Sequence, residues 1–167
     1  MILLEEEMEF LETIKDRANQ EKKSNKKLIN RLKKVKKGID SQVHDLHGEV
    51  FEEIDCLDCA NCCKSISPII TDRDIERISR HLKVKPSKFV EQYLYLDEEQ
   101  DYVYKQTPCP FLDAENYCSI YSVRPKACAE YPHTDRKKFV QILDLSLKNT
   151  RVCPAVFEVF EKLKKIF

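Results

Sequence analysis

The sequence predicts a mainly α fold, in which an N-terminal helical hairpin leads into a small cysteine-rich domain of short helices with one or two small hairpins. Three observations predict it. Leu28, Leu32, Val35, Ile39, Val43, Leu46 and Val50 recur every three or four positions, the stripe of an amphipathic helix. Pro86, Pro125 and Pro154 each stand where a ring with fixed φ can open a short helix. All eight cysteines follow Asp55, and the only two glycines, Gly38 and Gly48, precede them. With 167 residues and 42% hydrophobic content, the chain has room for one domain with a modest core and an accessory segment. The expected division is a helical segment over 1–54 and a cysteine-rich domain with a C-terminal helix over 55–167.

Each element follows from its own residues. Leu3, Leu4, Phe10, Leu11 and Ile14 among carboxylates predict a first helix over 3–18. The stripe from Lys26 to Phe51 predicts one long helix that pairs with it. Thr71 followed by Asp74 reads as a capped helix start, with Ile75, Ile78 and Leu82 on one face. Pro86 and Ser87 open a helix carrying Phe89 and Val90. Tyr93 to Lys105, aliphatic and tyrosine-rich around the acidic turn 97–101, predicts a hairpin. Asp113-Ala-Glu-Asn116 marks a turn between Cys109 and Cys118, and Pro125 suits the first turn of a short helix holding Cys128. Residues 136–149 favour helix. A terminal helix follows Pro154, with Val156, Phe157, Phe160, Leu163 and Ile166 as its apolar positions.

Composition removes several functions. Lys plus Arg equals Asp plus Glu, 29 each, so no overall field draws the chain to nucleic acid or membrane. Two glycines ahead of the cysteine region cannot build a phosphate loop or a dinucleotide fingerprint. The opening Met-Ile-Leu-Leu turns acidic at Glu5, unlike a signal peptide, and no run reaches transmembrane length. A cytoplasmic location is expected, where thiols stay reduced and dense cysteines more often bind metal than form disulfides.

The cysteine spacing carries the functional reading. Two cysteines separated by two residues can turn both sulphurs onto one ion while nearby N–H groups stabilise the thiolates. Here Cys56-x-x-Cys59-x-x-Cys62-Cys63 overlaps two such motifs, and Cys109, Cys118, Cys128 and Cys153 supply four more sulphurs. Adjacent Cys62 and Cys63 cannot bridge without strain, and inert burial does not explain four cysteines in eight residues. All eight are therefore expected metal ligands, in two four-cysteine sites or one site with reserve thiols. All-sulphur surroundings suit zinc or iron–sulphur clusters alike. The Cys56-x-x-Cys59-x-x-Cys62 run and the pairs Cys109-Pro110 and Cys153-Pro154 favour iron or an iron–sulphur cluster, with zinc as the alternative.

These residues resemble the YkgJ-like, CxxCxxCC cysteine-cluster family of zinc- or iron-chelating domains. The resemblance covers roughly Asp55 to Val156. It is carried by Cys56-Leu-Asp-Cys59-Ala-Asn-Cys62-Cys63, Thr71-Asp-Arg-Asp-Ile75, Cys109-Pro-Phe-Leu-Asp113, Tyr117-Cys-Ser-Ile-Tyr121-Ser-Val-Arg-Pro125 and Cys153-Pro-Ala-Val156. It implies a metal-chelating domain. Some members with the same cluster look like flagellin lysine methylases, but the similarity stops at the cluster and no S-adenosylmethionine motif is present.

Three function classes follow. The favoured one is a protein that sequesters or carries iron, a cluster or zinc. The second is an enzyme whose metal keeps an open coordination position. The third is a structural zinc module whose N-terminal helices bind a protein partner. Arg124 is a candidate donor to the thiolates or to Asp113. His133 is a candidate nitrogen ligand, whereas His44, His47 and His81 are assigned no role. Nine Lys or Arg residues between Lys22 and Lys37 form a basic block without carboxylates. It lacks aromatics to stack on bases, so a solvated helix face is expected and nucleic acid is not.

Overall fold

The structure, a computed structural model, describes residues 13–35 and 37–167. It is mainly α, with one small antiparallel hairpin as its sheet among the described residues. The chain forms two compact units, one reaching to Cys59 and resuming at Pro132–Phe167, the other spanning Ala60–Tyr131.

In the first unit, residues 13–20 form helix α1, followed by α2 (Lys22–Leu32) and α3 (Ile39–Glu53). The 3–12 portion of the expected first helix lies outside the described residues. The single long helix expected over Lys26–Phe51 is instead two: α2 ends at Leu32, and Gly38, at φ 89° in the left-handed region, is the N-cap from which α3 restarts. Val35 and Ile39 are four apart, so the apolar stripe runs in phase across the break and hides it. The short helix α4 (Cys56–Cys59) closes this stretch. After Pro132 come a 3-10 turn (Phe139–Ile142), α9 (Leu143–Asn149) and α10 (Pro154–Ile166). Pro154 opens α10 at the one helix end where its missing N–H costs nothing.

One core holds these helices. Leu28 and Leu32 of α2, Val43 and Val50 of α3, and Val156, Phe160 and Leu163 of α10 are buried together with Phe139 and Leu143. The outward faces carry charge: Lys22, Lys23, Lys26 and Lys27 of the basic block are exposed. Asp40 at the start of α3 accepts the Phe139 N–H at 3.0 Å and the Lys138 N–H at 2.6 Å. This ties the returning segment to the helix.

The second unit holds α5 (Asn61–Ser65), α6 (Asp72–His81), α7 (Pro86–Tyr93), the hairpin β1 (Leu94–Leu96) and β2 (Tyr102–Tyr104), a 3-10 turn (Tyr121–Val123) and α8 (Lys126–Glu130). The hairpin pairs Leu94 with Tyr104, as the tyrosine-rich run predicts. The Asp113–Asn116 turn sits inside a second narrow pairing, the bridge between Leu112 and Cys118. Ile70, Ile75, Ile78, Phe89, Leu94, Phe111 and Ile120 form the core, with Phe89, Tyr93 and Tyr104 rings packed around or towards Phe111.

Asp74 organises this unit. Thr71 and Asp74 form a full capping box on α6, and the buried carboxylate also pairs with Arg77 and accepts the Lys126 N–H at 3.0 Å. Burial pushes the Asp74 pKa up, but the Thr71 hydroxyl and N–H, Arg77 and the Lys126 N–H outweigh it and hold it below the usual range. Its contribution is therefore present at neutral pH and lost as pH falls through its depressed pKa. Asp74→Ala is expected to cost about 2–4 kcal/mol at pH 7 from the lost cap and charge-assisted bonds. Urea denaturation checks it, and the gap to the wild type should close in acid.

Candidate metal centre

Of the eight cysteines, Cys56 is exposed and the other seven are half-buried, so the sulphurs sit at the edges of the two cores rather than inside them. Cys56 and Cys59 end the stretch that follows α3, and Cys153 is the N-cap of α10. The Lys162–Glu49 ion pair sets the register between α3 and α10. Cys56 lies about two turns beyond Glu49, and Cys153 about two and a half turns before Lys162. α3 and α10 pack against each other antiparallel, and Cys56 and Cys59 act electrostatically on Cys153 at the adjoining ends.

The second unit gathers Cys63, Cys109, Cys118 and Cys128. The Cys109 N–H donates to the Cys63 carbonyl at 2.8 Å, and the Ser119 N–H donates to the Phe111 carbonyl at 2.8 Å. These bonds draw three separate chain segments to one place. The Cys62 and Cys63 sulphurs are 4.0 Å apart. Among the described residues, no three His, Cys, Asp or Glu side chains already meet as a finished ligand set.

Backbone N–H groups favour the thiolate at Cys109 (Phe111 and Leu112), at Cys153 (Val156 and Ala155) and at Cys118 (Ile120). The two Cys-Pro segments differ in backbone: the Leu112 N–H closes a tight turn on the Cys109 carbonyl, whereas Cys153 is the N-cap of α10 and its carbonyl accepts the Phe157 N–H. N–H donors at sulphur stabilise a thiolate and tune whatever it ligates. Burial still dominates, pushing the Cys109 and Cys153 thiols up to about 11 and Cys128 to about 12, and it raises Cys118 as well. Cys63 moves the other way, lowered first by hydrogen bonding with Cys62 and then by the Lys64 charge.

Three further groups stand near the sulphurs of Cys63, Cys109, Cys118 and Cys128. Arg124 lies over the Tyr121 ring at 3.9 Å and donates to the Tyr121 carbonyl at 2.8 Å, and its charge favours the thiolates of Cys118 and Cys128. Asp113 accepts the Tyr117 and Glu115 N–H groups at 2.7 and 3.0 Å, which shapes the turn between Cys109 and Cys118. The Tyr104 hydroxyl is buried without a hydrogen-bond partner, and Cys109, Cys128 and Cys118 all press on it electrostatically. Sequence reasoning missed Tyr104, since a strand tyrosine reads as core. An orphaned donor beside several sulphurs fits a site meant to hold negative charge, which thiolates around a cation would supply.

His133 adopts a left-handed φ of 67°. His47 Nδ1 lies 2.7 Å from Thr134 Oγ1 and its ring packs on Phe51, a structural role.

The CxxCxxCC family model, described as a "Putative zinc- or iron-chelating domain", matches residues 55–154, more than half of the chain. The chain belongs to the CxxCxxCC family. All eight cysteines fall within the CxxCxxCC match, as do the Asp74 cap and both Cys-Pro segments. No solved structure matches the chain. Among the described residues, no helix is long and apolar enough to cross a membrane.

A CxxCxxCC domain with thiols near 11 and 12 must lose protons when they ligate a cation. Metal uptake at neutral pH is expected to acidify an unbuffered solution and to tighten about tenfold per pH unit for each thiol displaced. A titration with a pH indicator checks this, and uptake without proton release would contradict it.

Proposed function

We propose that the protein chelates iron, as the ion or as an iron–sulphur cluster, through its cysteine thiolates. The gathering of Cys63, Cys109, Cys118 and Cys128, on segments tied by the Cys109 N–H bond to the Cys63 carbonyl and by the Leu112–Cys118 bridge, is the observation that carries the reading. Tyr104 adds an unspent hydroxyl beside these cysteines. The Arg124 charge favours the thiolate forms of Cys118 and Cys128, which ligation needs. The Cys56-x-x-Cys59-x-x-Cys62 run with Cys153-Pro154 supports iron over zinc by its likeness to a cluster-binding run. When bound, the metal would supply redox or Lewis-acid chemistry. The chain's own part is to hold it with Cys56, Cys59, Cys62, Cys63, Cys109, Cys118, Cys128 and Cys153 and to neutralise the thiolates with backbone N–H groups and Arg124.

Zinc is the second reading, favoured by the narrow Leu112–Cys118 pairing that holds Cys109 and Cys118 at the ends of a tight loop, an arrangement ordinary in zinc sites. Anaerobic reconstitution separates the two. Iron with sulphide is expected to give a brown protein that resists exchange by zinc, and colourless uptake of zinc in preference to iron would overturn the iron reading. Serine at both Cys63 and Cys128 should abolish most of the uptake by the second unit, and unchanged uptake would overturn the thiolate reading.

A further inference from the structure

We propose that the Tyr104 hydroxyl donates a hydrogen bond to a metal-bound thiolate among Cys109, Cys118 and Cys128, which makes Tyr104 a positioning residue for the centre. The inference rests on the thiolate reading above and adds to it a side chain outside the cysteine set.

Packing explains the ring of Tyr104 but not its hydroxyl. The residue is 3% exposed, and its hydroxyl oxygen is buried with no hydrogen-bond partner among the described residues. A buried hydroxyl without a partner is destabilising, and a phenylalanine would fill the same place without that penalty. The ring meets Phe111 edge-on, with centroids 5.7 Å apart, in the core that also holds Ile70, Ile78, Phe89 and Ile120. The hydroxyl has no use in that contact.

The strand around it is held on both sides. Tyr104 pairs with Leu94 in the hairpin, its N–H donates to Ser67 Oγ at 2.8 Å, and the Lys105 N–H donates to the Tyr93 carbonyl at 2.8 Å. Cys109 and Cys118 pack against the same core. Burial first, then the charges of Cys109, Cys128, Cys118 and Asp74, oppose ionisation of the hydroxyl, which puts the three sulphurs within electrostatic reach of it. Asp74 is not the missing acceptor, because its carboxylate already takes the Thr71 N–H and hydroxyl, Arg77 and the Lys126 N–H. A neutral thiol accepts weakly and an anion strongly. Ligation turns one into the other, so a metal-bound sulphur supplies the acceptor that the hydroxyl lacks. A hydrogen bond there draws charge from the sulphur and tunes the metal.

Cobalt(II) is the probe, titrated into the reduced full-length protein against a competing chelator while the thiolate-to-cobalt charge-transfer bands are recorded. Tyr104→Phe keeps the ring and removes the donor. Uptake should weaken about 10–100-fold, as when other groups that hydrogen-bond a ligand are lost. The bands should move to longer wavelength, because a sulphur without that bond releases its electrons more easily. The sign of the affinity change is decisive. Metal uptake and folding of a small thiolate domain are one event, so an idle buried hydroxyl would oppose uptake, and its removal would tighten binding or leave it unchanged. Tyr95→Phe, on a β1 side chain 49% exposed, should change affinity by no more than about twofold. Tighter or unchanged binding in Tyr104→Phe, or weaker binding with unmoved bands, would overturn the assignment and leave thiolate chelation standing. The ultraviolet signature of an ionised tyrosine on cobalt uptake by the wild type would also overturn it, since Tyr104 would then be a ligand and not a donor. A wild type that gives no thiolate-to-cobalt bands would overturn the thiolate reading and this inference with it.

Discussion

Removing bound metal with a chelator at neutral pH is expected to unfold Ala60–Tyr131 while α3 and α10 keep their structure. The second unit rests on a small core of Ile70, Ile75, Ile78, Phe89, Leu94, Tyr104, Phe111 and Ile120, joined by one three-residue hairpin. A core of that size supplies roughly 3–5 kcal/mol at best, against about 10–16 kcal/mol of apparent binding energy at a structural thiolate site. The loops that carry Cys109 and Cys118, and the five-residue α8 that carries Cys128, have little regular structure to hold them once the ligands part. Hydrogen exchange followed before and after chelation resolves the two units. Amides of α6 and α7 should lose protection and those of α3 and α10 should retain it. Unchanged protection in α6 and α7 would show that the core alone suffices.

Phe160→Ala is expected to destabilise the first unit by about 3–5 kcal/mol, the cost of a large cavity where neighbours cannot collapse. Phe160 is fully buried on α10 among residues from α2, α3 and α9. Those helices come from distant parts of the chain, so no local rearrangement fills the gap. Ile166 lies on the same helix but is 47% exposed, and Ile166→Ala should change stability by no more than about 0.5 kcal/mol. Chemical denaturation of both variants checks the contrast. Equal effects would mean that α10 does not bury the face assigned to it.

Much of this architecture is legible in the residues because its signals are local. The Thr71–Asp74 capping box, the proline that opens α7, the hairpin around 97–101 and the apolar face of α10 each depend on neighbours within a few positions. The break at Gly38 was also written in the sequence, but the in-phase apolar stripe outvoted a single glycine. What periodicity cannot state is the partner of a buried face. That α10 packs on α3, placing Cys153 beside Cys56 and Cys59, depends on contacts across most of the chain.

The same limit applies to the centre. Cysteine spacing identifies thiolate chemistry, because neither inert burial nor a strained bridge between neighbours accounts for four cysteines in eight residues. It is silent on the N–H groups of Phe111, Leu112, Ala155 and Val156, which are backbone atoms that any residue could present. It is silent too on Tyr104, whose hydroxyl acquires meaning only from the sulphurs folded around it.

Thiolate chelation is the central claim, and elemental analysis with an absorption spectrum tests it most directly, on protein purified without oxygen and without a metal-binding tag. The account predicts stoichiometric iron, with labile sulphide and broad visible absorption where a cluster is present. Protein that carries neither iron nor zinc, and takes up neither when reduced and reconstituted, would contradict it.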